Sequence, residues 1–277
     1  MSRRFLAWLC ALAGAVLAVS GCGASQVVDP VAQAATATLG AGGYKLSAVM
    51  SVTGAAAPVT ATMTGAVDPP ANTGTMTINE ILGGHRVSAP VIFSSLNFWM
   101  RSSAIAGAAR RTGGKAWIYV DMNKALGALG AGSLPSTVNP SQFLDYLKTT
   151  GATPTRVGPV AINGVPTTEY RAVIDLDHYA QQYHVATKSI SSLESAMGTH
   201  SMPVEAWIDS ENRVRRIHIA FPECVAGSKL QFSMTIGIYG FGTQPQVQIP
   251  SRSEVYNLTP LLTTESRSLR LGCSSAG

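Results

Sequence analysis

Four cysteines, five histidines and a thin scatter of acids and bases are the groups that could do chemistry in this chain. Cys10 lies inside an apolar run, and Cys22 follows the small residues Val19-Ser20-Gly21 at the end of that run. Two cysteines remain, Cys224 and Cys273. An exported chain with two cysteines left over commonly pairs them. A Cys224–Cys273 disulfide would close a loop of about 50 residues and contribute about 3–4 kcal/mol in the chain-entropy picture. Two unpaired thiols are the other reading. No CxxC and no Cys at histidine-ligand spacing occurs, so no structural zinc site is expected. His178 and His184 are six apart, which does not stack two ligands on one helix face. They read as surface or capping residues. His85, His200 and His218 have no carboxylate at a telling spacing. Asp175 and Asp177 flank a strand-to-helix junction, with Asp177 the expected helix N-cap rather than a general base. Arg213, Arg215 and Arg216 read as a solvated strand face, with contact to an anionic headgroup as the alternative. There is no GxSxG, no HExxH and no GxxxxGK[ST], and the glycines at 127, 130 and 132 do not match a dinucleotide fingerprint. The expectation is a protein without catalytic residues, metal or cofactor.

Composition narrows the class further. The chain has 277 residues, 46% hydrophobic and only 13% charged, with a formal net charge of +5. Disorder needs the opposite balance, low hydrophobicity and many charges. The small positive charge is scattered rather than gathered into a stripe, which argues against nucleic acid as a partner. A single segment, at the N-terminus, approaches membrane-span length, so a multi-span transporter is excluded.

That segment reads as an address. Arg3 and Arg4 precede an uncharged run, Phe5 to Val19, of signal-peptide rather than spanning length. With Val19-Ser20-Gly21-Cys22 it resembles a bacterial lipobox. The resemblance implies diacylglycerol transfer to Cys22, removal of residues 1–21, and acylation (palmitate or a similar chain) of the new N-terminus. Acyl chains contribute about 0.8 kcal/mol per buried CH₂, enough for several chains to hold a soluble body at a membrane. An ordinary cleaved signal peptide, or an uncleaved anchor, is the alternative. The expected location is the extracytoplasmic side of the cell membrane.

Residues 22–43 read as a tether and an N-terminal helix near Asp29–Thr38, started by Asp29-Pro30 and broken by Gly40, Gly42 and Gly43. Residues 44–277 read as one domain. Period-two alternation begins at Tyr44 and recurs through Val59–Met63, Met76–Ile78, Arg86–Phe93, Leu96–Arg101 and Lys115–Val120. Asn139-Pro140-Ser141 opens a helix with Phe143, Leu144 and Leu147 on its apolar face. Asn163-Gly164 marks a hairpin. Residues 177–197 read as a helix, Val204–Ile208 and Arg213–Phe221 as strands around a turn, and Leu230–Ile238 as the cleanest alternation in the chain. Gln246–Ile249 is expected to close the sheet, and Ala104–Gly114 and Gly127–Ser133 to be loops. Runs of antiparallel strand with a few helices mean α+β.

Three stretches carry a family resemblance. They are Ile162-Asn163-Gly164-Val165-Pro166-Thr167-Thr168-Glu169-Tyr170-Arg171, Met202-Pro203-Val204-Glu205-Ala206-Trp207-Ile208-Asp209 with Arg213 after it, and Leu258-Thr259-Pro260. With the lipobox they resemble actinobacterial envelope lipoproteins of the LppX/LprG type, related in fold to the LolA carriers. The resemblance implies a curved antiparallel sheet, a half-barrel, with helices covering its concave face and acyl chains or lipoglycan anchors held beneath them. An incompletely covered apolar face agrees with that, since it leaves a cavity, and nine methionines suit a deformable lining. The expected wall residues are Met50, Val52, Met63, Ile78, Ile118, Phe232, Met234 and Ile236, each of which could equally be plain core. The implied partners are lipid or lipoglycan acyl chains and the membrane. The rival is an envelope sensor or assembly protein with a filled sheet face.

Overall fold

The structure, a computed structural model, describes residues 29–54, 58–82, 85–104, 112–128, 141–149, 153–182, 187, 190, 191, 194, 199–225 and 228–265. The signal segment, Cys22 and Cys273 lie outside these residues, and Cys224 is described by its backbone alone, so the expected anchor and disulfide do too.

Twelve strands form one sheet. They are β1 (Tyr44–Thr53), β2 (Val59–Asp68), β3 (Thr73–Leu82), β4 (His85–Ser94), β5 (Asn97–Arg101), β6 (Trp117–Asp121), β7 (Thr155–Ile162), β8 (Val165–Asp175), β9 (Ser201–Asp209), β10 (Val214–Val225), β11 (Ser228–Tyr239) and β12 (Val255–Asn257). The spatial order is β12-β6-β5-β4-β3-β2-β1-β11-β10-β9-β8-β7. Every neighbouring pair is antiparallel except β12 with β6, which is parallel. β7 and β12 are the free edges, so the sheet is not closed. Among the described residues the helices with defined bounds are α1 (Pro30–Gly40), α2 (Met122–Ala128), α3 (Ser141–Leu147), α4 (Leu176–Gln182) and α5 (Thr259–Glu265).

Local chemistry explains several of these elements. The Asp29 carboxylate accepts from the backbone N–H of Val31 at 2.8 Å and of Ala32 at 3.0 Å, satisfying donors that the first turn of α1 cannot use. Asn163 and Gly164 sit at φ +50° and +80°, the double left-handed conformation that a two-residue hairpin between β7 and β8 requires. Asp175, not the expected Asp177, caps α4, accepting from His178 N–H at 2.9 Å. Its place at the end of β8 puts its carboxylate one turn ahead of the helix, whereas Asp177 is already inside the first turn.

The sheet curls around the helices. A single buried cluster takes side chains from α1, α3 and α4 and from the run of nine strands between β5 and β8. Nine strands laid flat at about 4.8 Å apart would span about 38 Å, wider than three helices about 10 Å across each even if these lay side by side. The strands must therefore bend round to reach the same helices. Gly65 and Gly74 permit this where β2 and β3 bend most closely together. A Cβ at Gly65 would lie 2.2 Å from the Thr75 carbonyl oxygen, and one at Gly74 would lie 2.5 Å from the Phe93 ring. The architecture is thus α+β, an open, curved, mostly antiparallel half-barrel.

One strand expectation changes. Gln246–Ile249 is not a strand: it lies in an extended return segment that makes no ladder. The closing strand is β12, a few residues later, whose Tyr256 aligns with Ile118 of β6. Prolines at 245 and 250 remove two ladder donors, which explains the shift. Of the helix expected over 177–197, residues 177–182, 187, 190, 191 and 194 are described and are helical; the others lie outside the described residues.

Candidate functional site

The register sorts side chains onto two faces, because successive residues in a strand point to opposite sides. Leu46 aligns with Gly65 and Ile238, and Gly65 with Met76; Ala48 aligns with Met63 and Ile236, and Met63 with Ile78. Met50 aligns with Ala61 and Met234, and Val52 with Val59 and Phe232. Ile217, Ile219 and Phe221 continue these rows across β10, and Ile118 joins the Leu46 row through Met100 and Val91. All eight expected wall residues therefore share the inner face.

Exposure along that face runs in one direction. Ile236, Met234, Phe232, Met63 and Ile118 are each under a tenth exposed and belong to the buried cluster or lie beside it. Met50, Val52 and Ile78 remain partly exposed while packing against that cluster. Phe221 behaves the same way, Leu230 is also partly exposed, and Val59, at the start of β2, is exposed. On β8 and β9 the same end is shut, since Ile174 and Met202 are buried there beside Leu176 and Tyr179 of α4. The inner face is thus packed at the Tyr44 end and opens as an apolar mouth between β3 and β10. Phe221 and Phe232 stack there, centroids 4.8 Å apart.

Glu80 interrupts the apolar mouth. It aligns with Ala61 on one side and Val87 on the other, in the same row as Met50. Across β1–β5 and β11 it is the one charged inner-face residue among the described side chains. Sequence reading passed over it because a lone Glu in an alternating strand looks like an outward residue.

The arginine cluster is not a solvated face. Arg213 and Arg215 turn in over the Phe241 ring, at 4.4 and 4.8 Å from its centroid. Both pair with the Asp209 carboxylate, whose side chain is 2% exposed, at 3.6 and 2.5 Å from their Nε atoms. The same carboxylate accepts from the backbone N–H of Glu211 and Arg213 at 2.9 Å each. Arg213 also pairs with Glu211. Arg216 alone stays on the outer face, 5.7 Å from the Trp207 ring. Arg215 lies two residues before Ile217, so alternation puts it on the inner side, and the bulge between Val214 and Arg216 brings Val214 inward as well, opposite Ile208.

His200 finds a carboxylate that spacing did not reveal. Glu194 Oε1 lies 2.9 Å from His200 Nδ1, and Leu176 N–H donates to the His200 carbonyl at 3.2 Å, fixing the loop beside α4. Asp177 completes a group whose ligating atoms all lie within 4.8 Å of one another. Asp177 and His200 face solvent, and we read the group as an ion-paired brace. The Glu194 carboxylate, with Asp177 acting in the same sense, holds the imidazole above its ordinary value. A raised folded-state value stabilises the fold at pH below the unfolded histidine's value. That contribution fades as pH rises through the folded one. We expect the His200 ring protons to titrate at higher pH than a free histidine, and Glu194→Gln to return the midpoint to the ordinary value. NMR titration measures both.

Two open grooves lie on the outer face. One, of about 500 Å³, is lined by Arg171, Val173, Pro203, Glu205 and His218 among others. The other, of about 530 Å³, runs past Trp99, Tyr119, Ile249 and Arg252. Among the described residues no helix is long and apolar enough to cross a membrane.

No protein-family model matches the sequence, and no curated protein matches it. Solved structures that overlap it include LprF from Mycobacterium bovis, at 14% identity and TM-score 0.44 over 80% of this chain and 95% of that one. The Mycobacterium tuberculosis lipoprotein LppX overlaps at 13% identity and TM-score 0.44, over 80% of this chain and all of that one. The MucA/MucB complex of Pseudomonas aeruginosa overlaps at 11% identity and TM-score 0.29, over 80% of this chain and 60% of that one. The first two are of the lipoprotein type that the motifs resemble. At such identities and scores these likenesses carry no argument about activity, and the architecture stands on the strand order and register above.

Proposed function

We propose that this protein is a non-catalytic, lipid-binding envelope lipoprotein that holds or transfers acyl chains at the mouth of its curved sheet. The observation that carries this is the one-directional opening of the inner face. A run of apolar side chains, Met50, Val52, Ile78, Phe221 and Leu230, is left partly exposed on the same face on which Leu46, Met76, Ile217 and Ile236 are buried. Contiguous apolar surface of this kind marks a binding site in a soluble body. Burying acyl CH₂ groups against it, at about 0.8 kcal/mol each, supplies the driving force with no covalent step. Met50 and the neighbouring Met234 and Met63 can shift rotamers to let a tail in deeper. Acylation at Cys22 would keep the mouth near the outer leaflet of the cell membrane, and a Cys224–Cys273 disulfide would tie the C-terminal tail to β10. Residues 22–28 would serve as the tether, and α1 belongs to the body, since Val31, Ala34, Ala35 and Thr38 are fully buried.

Native mass spectrometry after mild extraction tests the reading. Copurified lipid, and saturable uptake of a fluorescent fatty acyl probe, are the expected results. Lipid-free protein that takes up no probe would overturn it. The burial of five of the eight wall residues favours the rival reading of a filled sheet used for sensing or assembly. That rival predicts the lipid-free outcome together with a cross-linked protein partner.

A further inference from the structure

Among the described side chains at the mouth Glu80 is the charged one, and it has no hydrogen bond or ion pair among the described residues. It stands between Ala61 and Val87, two positions along β3 from Ile78, on the part of the inner face that is still half-open. A structural role would give its carboxylate a partner, as Asp209 and Asp175 have. An uncompensated charge on an apolar wall is unfavourable unless water or a ligand satisfies it.

We infer that Glu80 selects the polar end of the ligand: the site takes acyl lipids whose head presents hydroxyl donors and carries no negative charge. This rests on the acyl-binding reading above. A tail lying on Ile78, Met50 and Val52 leaves its head among the residues at the mouth. Strands there are about 4.8 Å apart, so the Met50 position lies about 10 Å from Glu80 across β2, roughly one Debye length in ordinary salt. A head group anywhere on this rim feels the carboxylate. An ionised carboxylate only accepts hydrogen bonds, so it welcomes hydroxyl donors, and bonds to a charged acceptor are stronger than neutral ones. A fatty-acid carboxylate or a lipid phosphate brings like charge to the same place in a medium less screening than water. Arg86 shares a groove with Glu80, but its register partner is Ile81, so its exposed side chain leaves on the outer face, where water screens it, while that of Glu80 leaves on the inner face.

The test is competition for a bound fluorescent acyl probe by lipids of identical chains: a diacylglycerol against the matching phosphatidic acid, and a monoacylglycerol against the matching fatty acid. We expect the wild-type protein to prefer the neutral member of each pair by about tenfold. Glu80→Gln, which keeps the shape and an acceptor oxygen, should reduce that preference to about twofold, mainly by tighter binding of the anionic lipids. Glu80→Ala should do the same, and serves where Gln perturbs folding. Equal binding of both members by the wild type, or an unchanged preference in both variants, overturns the assignment of Glu80 and leaves the acyl site standing. If the wild type binds no probe at all, the acyl-binding reading itself falls.

Discussion

Asp209→Ala should lower the unfolding free energy by about 3–5 kcal/mol, the range found when one partner of a buried ion pair is removed. The carboxylate is nearly fully buried and accepts from three donors, two backbone N–H groups and the Nε of Arg215, with the Arg213 guanidinium ion-paired to it at 3.6 Å. Removing it leaves two guanidinium groups, 21% and 16% exposed, without their main counter-charge. In a body of this size each kcal/mol shifts the melting temperature by about 2–4 °C, so a fall of about 10 °C is expected by thermal denaturation. Asp209→Asn keeps an acceptor for the backbone amides and should cost about half as much. The two arginines also flank Phe241, which begins the return segment toward β12. The Ala variant should therefore be cut faster by protease between residues 240 and 250. A stability loss under about 1 kcal/mol would show that the arginines are hydrated and independent of Asp209.

Val52→Glu should weaken acyl-probe binding by about 30-fold or more while leaving the melting temperature within a few degrees. Val52 sits at the open end of β1, aligned with Val59 and Phe232, and remains partly exposed. A new carboxylate there can stay hydrated in the free protein, so the fold loses little. A bound tail would have to strip that water with nothing offered in exchange, which costs about 2 kcal/mol or more. Wild-type affinity in this variant, measured by probe fluorescence, would show that the tail does not lie on the β1 end of the mouth. Val49→Glu, on the opposite face of the same strand and already exposed, is the matched control and should leave binding unchanged.

Alternation was legible wherever one face is buried and the other wet. Leu230 to Ile238 and Tyr44 to Val52 read as strands from the residues alone, and their inner sides are the ones found. Turn chemistry was equally plain at Asn163-Gly164. What escaped depends on long-range placement. The Glu194–His200 pair joins residues six apart that belong to different elements, and linear spacing does not give that distance. Arg215 reads as solvated when it is grouped with Arg213 and Arg216 by charge, although it shares the parity of Ile217; its partner Asp209 stands at the end of β9, before the turn into β10, and is not visible in strand alternation. β12 is three residues long and pairs in parallel with a strand far back in the chain, so neither length nor local pattern announces it. The wall residues were legible as a set, since alternation names the face. Which of them are packed and which lie open depends on where α1, α3 and α4 sit, and that is a property of tertiary contacts.

The position of β1 bears on how the chain acquires its shape. β1 is the first strand made, yet one of its two neighbours is β11, so that Lys45 must meet Tyr239 across most of the polypeptide. The hairpins from β1 to β5 can form from adjacent sequence, but the seam joining the two halves waits for nearly the last strand. Closing so large a loop is entropically costly and makes folding slow compared with local topologies. During that interval the apolar inner side has no cover. A chain with this order of assembly gains from a holding factor that keeps its first strands from pairing wrongly until β11 arrives.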